Sequence, residues 1–230
     1  MLKNLFAKVG LGSAAAPVAL AATHAPYADA HVNFLYNLLF CDNLELFRRD
    51  NTGANAEPWW TLLAANPDER ALRRLADGND ESRVRALAFN RLRAHGWEVA
   101  PKILLGVIVE VPLDRGLDVL AAYADGRVRY LNQTGKVSIF EGGPAAIETL
   151  AHELVATALP LAQRIGPWND ARLPPPRRGH VRMTLIVSDG LYFGEGDFAQ
   201  LQRDPLGGPV LAKATQLLNA VVDCATPSQG

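Results

Sequence analysis

The segment 103–111 constrains the fold of this chain more than any other part of its sequence. It is almost entirely apolar and rich in β-branched side chains, which is typical of a β-strand, and Pro112 ends the run. A strand this apolar is not expected at the exposed edge of a sheet, where unpaired backbone groups invite aggregation. The segment therefore predicts a strand that lies away from the sheet edges.

Three further strand patterns follow this segment at short intervals. Residues 117–123 form a second apolar run, and Asp125-Gly126 after them is typical of a two-residue hairpin turn. Val128 and Tyr130 alternate with two arginines in a third strand, and residues 137–140 form a fourth after another turn. Four successive strands joined by short turns favour an antiparallel meander.

A helix, a strand pair and a last helix complete the second half of the chain. Apolar residues recur at helical spacing from Ile147 to Leu161, which predicts a long helix that covers one face of the sheet. Residues 181–187 and 191–193 predict two strands that turn at Asp189-Gly190, and residues 210–221 predict the last helix. The expected order is therefore ββββαββα, a layered sheet with helices on one face.

The first half of the chain carries helical patterns instead. Asp29 can cap the first of several helices, Pro58 and Asn66-Pro67 mark the starts of two more, and Asp80 can cap the last. The sequence therefore predicts an α+β protein whose helical N-terminal half packs on a C-terminal antiparallel sheet.

Three regions are expected along the chain. They are a loosely ordered leader at residues 1–28, a helical region at residues 29–97 and an α+β sheet domain at residues 98–230. Residues 29–230 could equally form one compact unit, because a chain of 230 residues is long enough for one large domain or two small ones.

Charge and hydropathy narrow the choice of partners. The formal net charge is −1, so the chain has no global basic field of the kind that attracts nucleic acid, and no nucleic-acid partner is expected. No stretch of about 18 residues is apolar without a break, so no membrane span is predicted. Phosphate-backbone binding would have to rely on arginines of the predicted helix faces, namely Arg70, Arg73, Arg74, Arg83 and Arg85.

The cysteines and the N-terminus bear on the compartment. Cys41 and Cys224 are far apart and have no metal-ligand spacing, which suits free thiols in a reducing cytoplasm. The alternative is export, because Lys3 and Lys8 precede an apolar stretch at residues 9–25 that resembles a weak signal peptide. We predict a cytoplasmic protein.

The loop at residues 164–182 is the most unusual segment, because arginines surround three consecutive prolines. A proline run holds an extended conformation at low entropic cost, and guanidinium groups beside it can bind carboxylates or phosphates. Arg172, Arg177, Arg178 and His180 are therefore candidate binding residues. The alternative is that the loop only ties the preceding helix to the following strand, with its arginines in solvent.

The turn that follows is the second candidate. Glycines at residues 190, 194 and 196 let a backbone approach a ligand, and Tyr192 and Glu195 offer polar groups. The alternative is an ordinary hairpin, since Asp189-Gly190 followed by aromatic residues is also what a tight turn needs.

The sequence contains no catalytic or metal-binding signature. His152-Glu153 begins like the zinc-protease motif, but Ala156 stands where that motif requires its second histidine. The other histidines are scattered without ligand spacing, and no phosphate- or dinucleotide-binding glycine pattern is present. We therefore predict no metal and no cofactor, and we assign no catalytic residue.

Two functions compete on this basis. The first is a non-enzymatic interaction or regulatory protein that binds a protein partner, or a second copy of itself, through a sheet edge or the loop at residues 164–182. The second is a small-molecule-binding domain or enzyme with a pocket between the sheet and the helical half. Its polar groups would be Arg172, His180, Tyr192 and Glu195.

Overall fold

The computed structural model describes residues 22–51 and 56–225. Most of the predicted leader, together with most of the signal-like stretch, lies outside these residues. Within the described part, ordered structure begins before residue 29, because Tyr27 is buried and its hydroxyl donates a hydrogen bond to the Leu117 carbonyl at 2.8 Å.

A six-stranded antiparallel sheet forms the centre of the protein, in the order β4-β3-β2-β1-β5-β6. The strands are β1 (Leu104–Leu113), β2 (Gly116–Tyr123), β3 (Val128–Leu131), β4 (Val137–Phe140), β5 (His180–Val187) and β6 (Gly190–Asp197). The predicted meander of β1 to β4 is confirmed, and the apolar β1 is an interior strand between β2 and β5.

Pro112 does not end β1, contrary to the sequence prediction. It stays in the strand opposite Leu117 of β2. The pairing of β1 with β5 extends only to Glu110, so Pro112 lies where β1 has one neighbour. A missing backbone donor is tolerated at such a position, as it is on an edge strand.

Among the described residues, five helices precede the sheet and three accompany its second half. The first group is α1 (Ala30–Leu38), α2 (Leu44–Asp50), α3 (Trp59–Leu63), α4 (Glu69–Asp77) and α5 (Ser82–Ala94). The second group is α6 (Ala145–Arg164), α7 (Phe198–Arg203) and α8 (Gly207–Ala225). Across residues 22–51 and 56–225, no helix combines the length and apolar character needed to cross a membrane.

The helix caps explain where the predicted helices begin. Asp29 accepts hydrogen bonds from the His31 and Val32 amides and starts α1, as predicted. Helix α4 begins later than predicted, because the carboxylate of Asp68 accepts the Ala71 amide and makes Asp68 the cap.

The two faces of the sheet are covered by different helices. Alternation along β1 places Ile108 in a core shared with α1 to α5, and Val107 and Val109 in a core shared with α6 and α8. Helix α6 therefore covers one face, as predicted, and the helical N-terminal half packs on the other. The α+β fold class predicted from the sequence is confirmed.

The face that meets the helical half is not apolar throughout. Glu110 of β1 and Arg182 and Thr184 of β5 are buried on this face, on the side of the sheet that also carries β6. The N-terminal helices leave a space above this polar region. That space is the candidate site.

Candidate functional site

A cavity of about 430 Å³ lies between the helical half and the sheet. Its volume is within the range of about 300–1,000 Å³ that is usual for small-molecule sites. The floor is formed by β5 and β6, one wall by the end of α5 and the residues after it, and the roof by residues 167–173. The cavity therefore brings residues 90–98 together with residues 167–193, which are distant from them in the sequence.

The floor carries a small hydroxyl side chain between two apolar ones. Thr184 pairs with Phe193 across β5 and β6, so both side chains lie on the same face, with Leu191 next to them. Within the described residues, the Thr184 hydroxyl makes no side-chain hydrogen bond. The Thr184 hydroxyl is therefore an unpaired polar group beside the apolar Leu191 and Phe193.

The roof is fastened to the sheet by backbone and ring contacts. The Trp168 amide donates to the Leu191 carbonyl at 2.8 Å, and the Trp168 ring meets Phe193 edge-on with a centroid separation of 4.9 Å. Arg182 reaches up from the floor and donates to the carbonyls of Leu173 and Pro174, at 3.2 and 2.7 Å. The roof is thereby held in place before any ligand binds.

Arg172 ties the roof to the helical half. Its side chain is only 6% exposed, and its Nε donates to Oδ2 of Asp42 at 2.9 Å. Its guanidinium lies over the Phe40 ring at 3.9 Å from the centroid, and Nη2 donates to Asn37 Oδ1 at 2.8 Å. Burial raises the pKa of Asp42, while Arg172 opposes that rise.

Arg93 lies at the other end of the cavity, on α5. Its Nη1 donates to the Ser188 carbonyl at 3.0 Å and its Nη2 donates to Asn90 Oδ1. A side chain at Gly190 would come within 3.0 Å of Pro167 and close to Arg93 Nη1, so a glycine allows these segments to meet. Burial lowers the pKa of Arg93, and Asp189 opposes that effect.

A buried charge network adjoins the cavity on the same sheet face. The Tyr36 hydroxyl donates to Glu110 Oε1 at 2.7 Å, and Arg182 Nη1 lies 3.9 Å from Glu110 Oε2. Arg182 also donates through Nε and Nη2 to Oε2 of Glu195, at 2.9 and 2.5 Å. Burial raises the pKa of Glu110, because its charged form is removed from water.

The candidate residues from the sequence fall into three places. Arg172 lines the cavity, while His180 and Glu195 lie beside it, with His180 Nδ1 at 3.6 Å from Glu195 Oε1. Arg177 and Arg178 are exposed outside the cavity; Arg177 Nε donates to His180 Nε2 at 2.9 Å. Arg178 pairs with Asp114 at 3.1 Å.

Tyr192 is separated from the other candidates by strand geometry. It belongs to the core shared with α6 and α8, whereas its neighbour Phe193 faces the cavity. The Tyr192 hydroxyl donates to the Asp189 carboxylate at 2.8 Å, and Asp189 is a cavity residue. Tyr192 therefore does not line the cavity, and its connection to the cavity is the hydrogen bond to the Asp189 carboxylate.

Sequence reasoning missed most of the cavity. Arg93 was not singled out among the arginines of the predicted helices, and Asp42, Trp97 and Thr184 carried no recognisable pattern. One available signal was overlooked: Glu110 is the only charged residue within the apolar segment 103–111. A carboxylate inside an interior strand requires a buried partner, and that partner is part of the network beside the cavity.

The arrangement offers fixed guanidinium donors, a free hydroxyl and aromatic faces, which are groups that bind and orient a ligand. In the part of the chain that the structure describes, no three His, Cys, Asp or Glu side chains come together as metal ligands would.

Comparison with models of known protein families found no match, and comparison with curated proteins found no relative.

Proposed function

We propose that this protein binds a small organic molecule in the cavity between its helical half and its sheet. The observation that carries the proposal is the cavity itself, about 430 Å³ in volume and enclosed by β5, β6, α5 and the roof at residues 167–173. Layer junctions of this kind are common ligand sites.

The cavity walls favour a ligand with a flat apolar body. Trp97, Trp168 and Phe193 line the cavity, and Trp97 is braced by stacking on His95 at a centroid separation of 4.8 Å. Aromatic rings contribute large apolar area and prefer offset or edge-on contact with other rings. A planar or aromatic ligand would use these surfaces.

The roof is preorganised, which also supports binding. Arg172, Arg182 and Trp168 hold it from three sides through the contacts described above. A site that is ordered before binding loses less conformational entropy when the ligand enters.

Native mass spectrometry of protein captured gently from its own host tests the proposal. We expect an intact complex that retains a small molecule. The Trp168→Ala variant should lose it, whereas Trp60→Ala should keep it, because Trp60 is exposed and does not line the cavity. An empty wild-type protein whose tryptophan fluorescence responds to no added compound would contradict the proposal.

A second candidate function is binding of a protein partner at the open edge of β4. Among the described strands, β4 ends the sheet and pairs with β3 alone, and it presents Ile139 with 50% of its surface exposed. Such an edge can accept an added strand from another chain. The Ile139→Lys variant should lose the ability to capture a partner that docks at this edge. Unchanged capture of that partner would exclude the β4 edge as the docking site.

The exposed arginines of the loop offer a further test of partner binding. Arg177 and Arg178 can be replaced by alanine together without touching the buried Arg172, whose contacts hold the roof. Loss of a captured protein partner in this double variant, with the fold intact, would favour the loop as the docking surface.

We propose the cytoplasm as the compartment of this protein. Cys41 and Cys224 are both free thiols; Cys41 is buried and Cys224 is exposed. Free thiols suit a reducing environment. Fractionation of host cells that express the tagged full chain tests this, and recovery of the protein outside the cytoplasm would refute it.

A further inference from the structure

The three arginines that line the cavity differ in their ion pairing. Arg172 pairs with Asp42 at 2.9 Å, and Arg182 pairs with Glu195 at 2.5 Å. Arg93 has no carboxylate within 4.0 Å among the described residues, and its hydrogen bonds there go to the neutral acceptors of Ser188 and Asn90. Arg93 is thus a partly buried cation that, among the described residues, has no carboxylate in ion-pair contact.

Arg93 also keeps donors available. A guanidinium carries five N–H groups, and the described structure uses only those that reach the two neutral acceptors. The Nε of Arg93 has no partner among the described residues and is not sealed from solvent, in contrast to the buried Nη1 of Arg172. A ligand in the cavity can therefore reach Arg93.

Each acidic residue of the cavity either accepts a contact from another side chain or lies exposed at the rim. Asp42 is paired with Arg172, and Asp189 accepts the Tyr192 hydroxyl and offsets the charge of Arg93 only in part. Glu98 and Asp170 are exposed at the rim. The rim would repel a ligand with several negative charges, so the cavity suits a ligand with one anionic group.

We propose that the ligand carries a single anionic oxygen group, a carboxylate or a phosphate, that pairs with Arg93. This inference rests on the proposed function, because it assigns the chemistry of a ligand in the same cavity. An arginine binds either group through two parallel hydrogen bonds.

The positions of the polar groups also indicate the ligand's shape. Arg93 is anchored at Ser188, and Thr184 lies four residues earlier on the same chain segment, which is roughly 13 Å of extended backbone. Leu191 and Phe193 form the apolar floor that accompanies this segment. The ligand would place its anion at Arg93 and its apolar body along this floor toward Thr184.

The experiment uses four probes that differ only in their end group. Phenylbutyrate, phenylbutyl phosphate, phenylbutanol and phenylbutylamine are titrated into the full-length protein, and tryptophan fluorescence and the unfolding midpoint are recorded. We expect one or both of the anionic probes to bind about tenfold or more tightly than phenylbutanol. The comparison between phenylbutyrate and phenylbutyl phosphate separates the two anion types.

Variants test whether Arg93 is responsible for the preference for anionic probes. Arg93→Gln should remove the preference for the anionic probes, and Arg93→Lys should retain part of it. Arg91→Gln is the matched control, because Arg91 lies on the same helix but donates to the Ala64 carbonyl outside the cavity. If Arg91→Gln lowers the preference as much as Arg93→Gln does, Arg93 is not the anion site.

The outcomes separate this inference from the proposed function. Equal binding of phenylbutanol and the anionic probes, or a neutral or cationic molecule retained from the host, would overturn the inference and leave the cavity a binding site. An anionic molecule retained from the host would support it even if no probe binds. Failure of every probe, together with an empty native complex, would overturn both.

Discussion

At the scale of single residues, Arg172 is the main tie between the roof of the cavity and the helical half. Its partner Asp42 is only 13% exposed, so neither charge is well hydrated and each is stabilised by the other. Besides Asp42, two further acceptors and two aromatic rings surround the guanidinium, namely Ala22, Asn37, Tyr36 and Phe40.

Replacing Arg172 by alanine should destabilise the protein strongly. The change leaves the buried Asp42 carboxylate without its partner, and loss of one member of a buried pair costs about 3–5 kcal/mol. Urea unfolding followed by circular dichroism measures the difference. Arg177→Ala is the control, because an exposed loop residue should change the free energy of unfolding by less than about 0.5 kcal/mol. Similar effects of the two substitutions would refute the structural role of Arg172.

Glu110 should make the protein less stable as the pH rises. Burial raises its pKa in the folded state above the ordinary value of 4.5, so the folded protein binds the proton more tightly than the unfolded chain does. The stability that Glu110 contributes is therefore complete below the unfolded pKa and is lost as the pH rises through the folded pKa. Asp42 has the same sign of shift and adds to this trend.

The variant Glu110→Gln isolates this contribution. Glutamine can still accept the Tyr36 hydroxyl but does not ionise, so the decline of stability with pH should become shallower. Urea unfolding of both proteins from about pH 4.5 to about pH 8 gives the comparison. Parallel stability curves would show that Glu110 does not titrate differently in the folded and unfolded states.

At the scale of elements, helix α6 shows how one helix meets both the sheet and the solvent. Leu154 is completely buried in the core between α6, α8 and the sheet, whereas Leu159 on the same helix is 43% exposed. The two leucines differ in environment but not in chemistry. Their comparison therefore measures packing alone.

Leu154→Ala should lower the free energy of unfolding by about 2–5 kcal/mol, because it removes buried methyl groups and leaves a cavity. Leu159→Ala should lower it by much less, since that side chain keeps much of its surface in water. Denaturant unfolding of both variants provides the measurement. Equal losses would mean that α6 does not pack on the sheet as described.

Local patterns predicted most elements correctly, and the exceptions have identifiable causes. The turn at Asp125-Gly126 and the alternation in β3 led to the correct meander, because pairing of neighbouring strands depends on short-range features. The short helices α2 and α7 were not predicted, since six or seven residues carry too little periodicity.

At the scale of the whole molecule, the helical half and the sheet share a hydrophobic core. Ile108, Ala121 and Leu131 of the sheet belong to the same cluster as Tyr36 and Leu87 of the helices. This shared burial means that neither part can cover its apolar surface alone.

Separate expression of residues 98–230 should therefore yield a protein that binds hydrophobic dyes and aggregates, whereas the full chain should unfold in one cooperative transition. Thermal unfolding followed in the far- and near-ultraviolet tests the full chain. A soluble fragment with a sharp transition of its own would show that the sheet region is an independent domain.

What the sequence by itself determined is the set of local structures: most of the helices, the first four strands with their turns, and the alternation of faces within each strand. These depend on interactions between residues close together along the chain. Only the tertiary structure decided that β5 lies beside β1 and which residues form the cavity. Arg172 meets Asp42 across 130 positions, and Arg93 meets Ser188 across 95. Contacts over such separations leave no periodic trace in the sequence, because they arise from the packing of whole elements.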